Sequence, residues 1–402
     1  MNSPAIPRGN ELAPEKSLLV IRSGYADRAD AIQTLSEQFF GEVLVDPAAL
    51  PDDLHQRRIY ACGDLLDFAP DGVVLRVIDG LSRGHEGRTD VRVIRQGQVP
   101  RSVHGLGVMV PALFEPSDFF GRISTEHTFQ QLTESTKPGH ALRTGIYLSE
   151  VTREGEALRF HLMRCSSNLT GPTDNLRAAD RHILEALNEV ARSLFDREVS
   201  LNHVLAQIYR TRRTGEKTKK ARIGAHSDKT KDMHADGVMA FCSFYDEAAL
   251  ARLERSRADP CDRVYRKQSA LMRLYFRRKR TVDDPSLAES FSVTLYPDSV
   301  FFMPLSTNRL YTHAIRPSSV DADRAPTRMG YVVRCSAQEA IFRDGQTFLQ
   351  EGGGLIRLEP MDVEDARELR GAYREENLTD GDIRYGPVHF SMNAGDYKEP
   401  IV

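Results

Sequence analysis

The sequence predicts an α+β protein with an antiparallel sandwich or barrel-like stack of strands at its centre. Three observations predict it. Apolar, strand-like runs follow one another closely at 237–245, 271–276, 290–295, 300–303 and 330–333, without long helices between them. Turn chemistry punctuates these runs, as at Pro297-Asp298 before the run that opens at Val300. The clearest helix, Asp174 to Phe195, precedes them, with Leu176, Ile183, Leu187, Val190 and Leu194 near one stripe and Thr173, after Pro172, as cap candidate.

The remaining elements follow in order. Met1 to Lys16 carries Pro, Asn and Glu and no apolar h-region, so it reads as a flexible N-terminus and not as a signal peptide. Ser17-Leu18-Leu19-Val20-Ile21 is strand-like, and Ala26 to Phe40 has helical spacing through Ala31, Leu35 and Phe39. Residues 73–78 and 91–94 read as strands, separated by a glycine-rich, charged loop from Gly80 to Gly87. At 402 residues the chain suits two domains, or one core with large extensions. The expected division is 1–16 as a flexible terminus, 17–110 as an N-terminal α/β region, 111–345 as the main domain and 346–402 as a C-terminal extension.

Composition narrows the classes. Hydrophobic content of 40% and charged content of 28% are ordinary for a soluble globular protein. A net charge of −3 gives no global case for nucleic-acid binding. Five cysteines without a Cys-x-x-Cys pair fit a reducing compartment, so a cytoplasmic location is expected. No apolar run approaches membrane-spanning length, so no membrane association is expected. There are no internal repeats, and nothing in the sequence sets an oligomeric state.

Chemistry concentrates between residues 205 and 336. His226-Ser227-Asp228 is a His-x-Asp element, and His313 follows at a distance. Two neutral imidazoles and a carboxylate cover one face of an octahedral metal and leave three positions open. Arg328 and Arg334 come next, an even number apart, so a continuous strand would point both to one face. An arginine there can grip a carboxylate through a forked ion pair. There are rivals. His234-Ala235-Asp236 is also His-x-Asp, but it directly precedes Gly237 and suits a turn. His389 is a rival second histidine, with no arginine-bearing strand after it. Any single histidine is more often a surface or structural residue; the order of the set carries the reading.

Two further segments bear on substrate. Arg164 to Asn175 is dense in hydrogen-bonding groups, which makes Asn168, Asp174 and Asn175 substrate-binding candidates; the competing reading is a capped loop entering a helix. Basic clusters lie at Arg210–Arg222 and at Arg273–Arg280, where they suit either a phosphate-bearing partner or a solvated face. Trp is absent and aromatics are not interleaved with these charges, so a base-stacking stripe is not evident.

These residues resemble the AlkB-like group of Fe(II)/2-oxoglutarate-dependent oxygenases. Four pieces carry the resemblance: Tyr209 in Leu205-Ala206-Gln207-Ile208-Tyr209; His226-Ser227-Asp228-Lys229; the run from Ser299 through Asn308-Arg309 to His313; and the pair Arg328 and Arg334. They span under half the chain. The resemblance implies a double-stranded β-helix, or jelly-roll, core with buttressing helices. It implies iron held by His226, Asp228 and His313, and 2-oxoglutarate held by Arg328 and Arg334 with help from Tyr209. It also implies O2 as co-substrate, decarboxylation to succinate and hydroxylation of a substrate C–H bond. Where that carbon is attached to nitrogen, the result is demethylation. This chain has Gly330 where the group often has Asn, Gln207 where it often has Asn before the Tyr, and a long loop from Tyr209 to His226. The favoured substrate is a small polar metabolite. The alternatives are nucleic acid, as for an AlkB-type demethylase, and a non-enzymatic binding protein on the same fold.

Overall fold

The computed structural model describes residues 9–133, 139–165, 169–214 and 217–402, with backbone alone at 214 and 217. It is a mixed α/β protein with many strands and few helices.

Near the N-terminus, Ser17–Arg22, Glu42–Val45, Arg58–Asp64, Leu75–Arg83 and Val91–Ile94 form a parallel sheet in the order second, first, third, fourth, fifth. Both faces are covered, which is why its strands read as continuous apolar runs. Leu19, Tyr60 and Ile78 pack with Ile32 and Leu35 of the Ala29–Gln38 helix, while Leu18, Val20, Ile59 and Val77 fill a cluster on the other side. The fourth strand runs on to Arg83, through part of the loop expected at Gly80 to Gly87. Leu81 is buried, and Ser82 donates to the Ile78 carbonyl at 2.8 Å, so the chain stays in the sheet past Gly80.

The centre has eight strands, numbered here β1 (His203–Tyr209), β2 (Ile223–His226), β3 (Val238–Tyr245), β4 (Arg273–Arg278), β5 (Ser290–Thr294), β6 (Ser299–Pro304), β7 (Tyr311–Arg316) and β8 (Arg328–Arg334). They form two antiparallel groups. The first is β1-β8-β3-β6, widened by His140–Ser149 beyond β1 and by Gly107–Val110 beyond β6. The second is β2-β7-β4-β5. The chain therefore passes repeatedly from one sheet to the other.

Alternation along each strand makes the layers. Met239, Phe241, Phe301 and Met303 of the first sheet pack on Leu274, Phe276, Phe291, Val293 and Ile315 of the second. The opposite face of the first sheet, with Ala206, Ala240, Met329, Tyr331 and Val333, packs on the helices Phe119–Glu126 and Ala178–Ala191. The second of these helices is shorter than expected. It begins at Ala178 because Asp174–Asn175 pair as a short strand with Leu148-Ser149. Thr173 is not its cap; the backbone N–H of Arg177 donates to Asp180 at 2.8 Å instead.

A third antiparallel sheet joins Thr152–Glu154, Ala157–Leu162, Gln338–Arg343, Gln346–Glu351 and Gly354–Arg357. The Val363–Leu378 helix follows. The cysteines are unpaired. Among the described residues no helix is long and apolar enough to cross a membrane.

Candidate metal centre

The site is built on the seam of the second sheet. His226 at the end of β2 and His313 on β7 are direct cross-strand partners, so their rings meet with centroids 4.5 Å apart. Asp228 lies just past β2, where a side-chain clamp fixes the chain. Its N–H donates to Asn308 Oδ1 at 2.8 Å, and Asn308 Nδ2 donates back to the Asp228 carbonyl at 2.9 Å. The N–H of Ser227 donates to Asn377 Oδ1 at 2.6 Å, from the C-terminal helix. Asp228 Oδ1 then lies 3.4 Å from His226 Nε2 and 3.6 Å from His313 Nε2. One ligand atom from each of the three residues lies within 4.8 Å of the others.

The protonation states suit a cation. His226 Nδ1 is 3.0 Å from the Gly224 carbonyl, which can only accept, so in the neutral ring Nδ1 holds the proton and Nε2 offers its lone pair. Burial, then the neighbouring His226, lowers His313 below the ordinary histidine value. Burial would raise the Asp228 carboxyl, but Arg334 and the two histidines outweigh it and hold it well below the usual range. The set is two imidazoles and one carboxylate, with His226 the partly exposed member.

Strand β8 supplies the arginines. Met329, Tyr331 and Val333 face the helices, so Arg328, Gly330, Val332 and Arg334 face the second sheet. Arg334 places Nε at 2.8 Å and Nη2 at 2.6 Å from a single oxygen, Asp228 Oδ2, which leaves Oδ1 toward the imidazoles. Arg328 is among the most deeply buried large side chains. Its Nε and Nη2 donate to Ser243 Oγ at 3.1 and 2.9 Å, while Nη1 is buried without a partner. Among the described residues no carboxylate lies within ion-pair distance of it.

Tyr209 stands in register with Arg328, whose guanidinium sits 5.2 Å from the ring centroid. The tyrosine hydroxyl donates to Gln207 Oε1 at 2.9 Å. A Cβ at Gly330 would come 3.0 Å from Arg328 Nη1, so glycine gives the guanidinium its space. Arg143 flanks the other side of the ring, 6.0 Å from its centroid.

The remaining candidates fall elsewhere. Asp174 is buried 2.8 Å from His127 Nδ1, and Asn175 closes a two-way clamp on the Val151 backbone, at 2.9 and 3.1 Å. His127 also meets Asp180, which accepts from Tyr331, so this network lies behind the first sheet. Asn168 lies outside the described residues. His234 closes a turn onto Gly237, and Asp236 pairs with Arg197 at 2.8 Å. His389 lies 3.6 Å from Glu351. Arg212, Arg213 and Lys219 are exposed on the hairpin before β2, whereas Lys279 is buried and caps the C-terminal helix through the Glu376 and Thr379 carbonyls at 2.7 and 3.0 Å.

Sequence reasoning missed Ser243 and Asn377. Ser243 left a trace, as a hydroxyl inside an apolar strand; Asn377, 150 positions from Ser227, left none. It also missed a second group able to bring three ligand atoms together, Glu126, His127 and Asp180. There both ring nitrogens of His127 already face carboxylates, at 2.8 and 2.9 Å.

No family model matches the chain, and no curated protein does. Solved structures do match. The non-heme alpha ketoglutarate dependent epimerase SnoN from nogalamycin biosynthesis aligns at 10% identity and TM-score 0.31, over 59% of this chain and 80% of that one. SnoN in complex with Fe3+, alpha ketoglutarate and nogalamycin RO aligns at 11% and TM-score 0.31, over 59% and 81%. OsALKBH1 aligns at 12% and TM-score 0.30, over 54% and 90%. Similarities this loose leave the site to be argued from its own residues.

Proposed function

We propose that the protein is an Fe(II)/2-oxoglutarate-dependent oxygenase with a double-stranded β-helix core, hydroxylating a C–H bond of a small polar metabolite. The carrying observation is the pairing of a His226, Asp228 and His313 cluster with a buried guanidinium, Arg328, that has no carboxylate partner among the described residues. Two four-stranded groups, β1-β8-β3-β6 and β2-β7-β4-β5, support the core assignment.

The residues fit the implied groups. Two imidazole nitrogens and one carboxylate oxygen are the donor set of a facial triad. An unpartnered buried N–H on Arg328 is what a carboxylate of 2-oxoglutarate would satisfy. Bound Fe(II) with 2-oxoglutarate would supply O2 activation and decarboxylation to succinate. The chain's own part is positioning. Arg334 keeps Asp228 ionised and turned. Gly224 sets the His226 tautomer, and Asn308 and Asn377 hold the backbone between the ligands. Ser243 and the Tyr209 ring orient Arg328.

A second reading, nucleic-acid demethylation, draws on the exposed basic hairpin that leads into β2. The test is succinate formation with Fe(II) and 2-oxoglutarate, screened against a metabolite pool and methylated oligonucleotides across a salt series. The metabolite reading expects turnover with a small molecule and a shallow salt dependence. Formaldehyde from a methylated strand, with binding that falls by about 0.7 log units per log salt for each phosphate contact, would replace it with the demethylase. No 2-oxoglutarate turnover under any condition would remove both.

A further inference from the structure

A cleft lies away from the metal centre. It opens between the N-terminal parallel sheet and the Ala178–Ala191 helix, has a volume of about 430 Å³, and belongs to the far side of the first core sheet. One wall is a row of guanidiniums. Arg76 stands in register with Tyr60 on one side and Arg92 on the other, and Arg58 lies two residues before Tyr60, so all three arginines share a face. Strands are roughly 4.8 Å apart, so these side chains enter the cleft as close neighbours.

Their negative partners do not match them. Arg58 ion-pairs with Glu189 on the helix and donates to Ser193 Oγ at 3.3 Å, but its Nε is buried without a partner. Among the described residues Arg76 reaches only the same Glu189, at 3.6 Å. Arg92, among the described residues, has no carboxylate within ion-pair distance. Glu115 and Glu185 also line the cleft; Glu115 pairs with Arg95 at 3.4 Å, and Glu185 is exposed and makes no ion pair among the described residues. Burial, then the charge of Arg58, pushes the Arg76 guanidinium down to about 10, which still leaves it cationic at neutral pH. The floor is apolar, with Ile94, Phe114 and Val190.

We propose that this cleft binds a small organic phosphate, with the phosphate on Arg76 and Arg92 and the body of the molecule against Ile94 and Phe114. The chemistry selects this class. Convergent guanidiniums from adjacent strands suit an anion with several oxygens, more than a single flat carboxylate. The volume falls in the range of small-molecule sites and is too small for a protein surface. Because the walls belong to the N-terminal sheet and to a core helix, occupancy ties the two together and stabilises the fold by mass action. The inference is independent of the oxygenase reading.

The experiment is calorimetric titration and thermal unfolding of the full chain with AMP, pyrophosphate and adenosine. AMP and pyrophosphate should bind, AMP should raise the unfolding temperature, and adenosine at equal concentration should do neither. Arg76→Gln with Arg92→Gln should weaken AMP by about tenfold or more, the equivalent of one lost charge-assisted contact. His226→Ala should leave AMP binding unchanged. Should the double variant fail to fold, Arg92→Gln alone, at an exposed side chain, makes the same comparison with a smaller loss. Absence of binding by both phosphate probes would overturn the proposal. So would equal binding of adenosine, full AMP affinity in the arginine variants, or loss of AMP binding in His226→Ala.

Discussion

The two faces of strand β8 carry opposite kinds of polar chemistry. Behind the strand, Tyr331 donates to Asp180 at 2.8 Å, and His127 is held between Asp180 and Asp174 at 2.9 and 2.8 Å. Arg177 closes the network, with its backbone N–H on Asp180 and its guanidinium on Asp174. In front, Arg328 Nη1, His313 Nδ1 and both ring nitrogens of His203 are buried without partners. Burial, then the charge of Arg334, pushes His203 down to about 3. An unsatisfied buried polar group costs about 1–3 kcal/mol. The contrast teaches that the same sheet is closed for stability on one side and left with unmet donors on the other, which is what a binding site requires.

The largest effect should come from Asp228→Ala, which removes a candidate ligand and strands the buried Arg334. Turnover should vanish, and stability should fall by about 3–5 kcal/mol as for a broken buried ion pair, read by denaturant unfolding. Behind the strand, Asp180→Asn should lower stability by about 3 kcal/mol and leave the 2-oxoglutarate requirement unchanged; a large rise in that requirement would erase the distinction between the faces. The same network fixes a pH dependence. Burial alone would lower His127, but Asp174 and Asp180 outweigh it and raise it to about 9. Its contribution is then full below an unfolded value of about 6.5 and is lost as the pH rises through about 9. Denaturation midpoints at the two ends of that window check the sign.

In front, Arg328→Met should act the other way round. Removing a buried guanidinium with no carboxylate partner among the described residues should leave the ligand-free protein as stable as before, or more so. The 2-oxoglutarate requirement should rise by roughly 30-fold, from about 2 kcal/mol of lost pairing. The smallest change is Gly330→Ala. Its Cβ would press on Arg328 Nη1 at 3.0 Å, so a few-fold rise in the 2-oxoglutarate requirement is expected, with about 1 kcal/mol of strain.

Legibility in the sequence followed the same division. The core strands were readable because apolar runs between turn residues are set locally, and β3, β4, β5, β6 and β8 lie within a few residues of the expected runs, whereas β7, which carries His313, matches none of them. The parity of Arg328 and Arg334 was readable for the same reason. Partnerships made by distant chain were not. Asp174 and Asn175 looked like a helix start because Leu176 and Ile183 share its stripe, yet His127 and Val151 hold them extended. The strand through Gly80 continues because Leu81 has a core to enter, and no local signal reports that. Asn308 stood beside the candidate ligands, but its clamp on Asp228 depends on a contact across 80 positions.

The proposed oxygenase stands on His226, Asp228 and His313 holding the iron that 2-oxoglutarate chelates. The most direct measurement is an anaerobic titration of Fe(II) and 2-oxoglutarate, following the visible charge-transfer absorption of the chelate. The band should need both components, saturate at one iron per chain, disappear in His226→Ala and need more 2-oxoglutarate in Arg328→Met. No band in the wild-type protein, or a band that survives His226→Ala and is lost in His234→Ala, would contradict it.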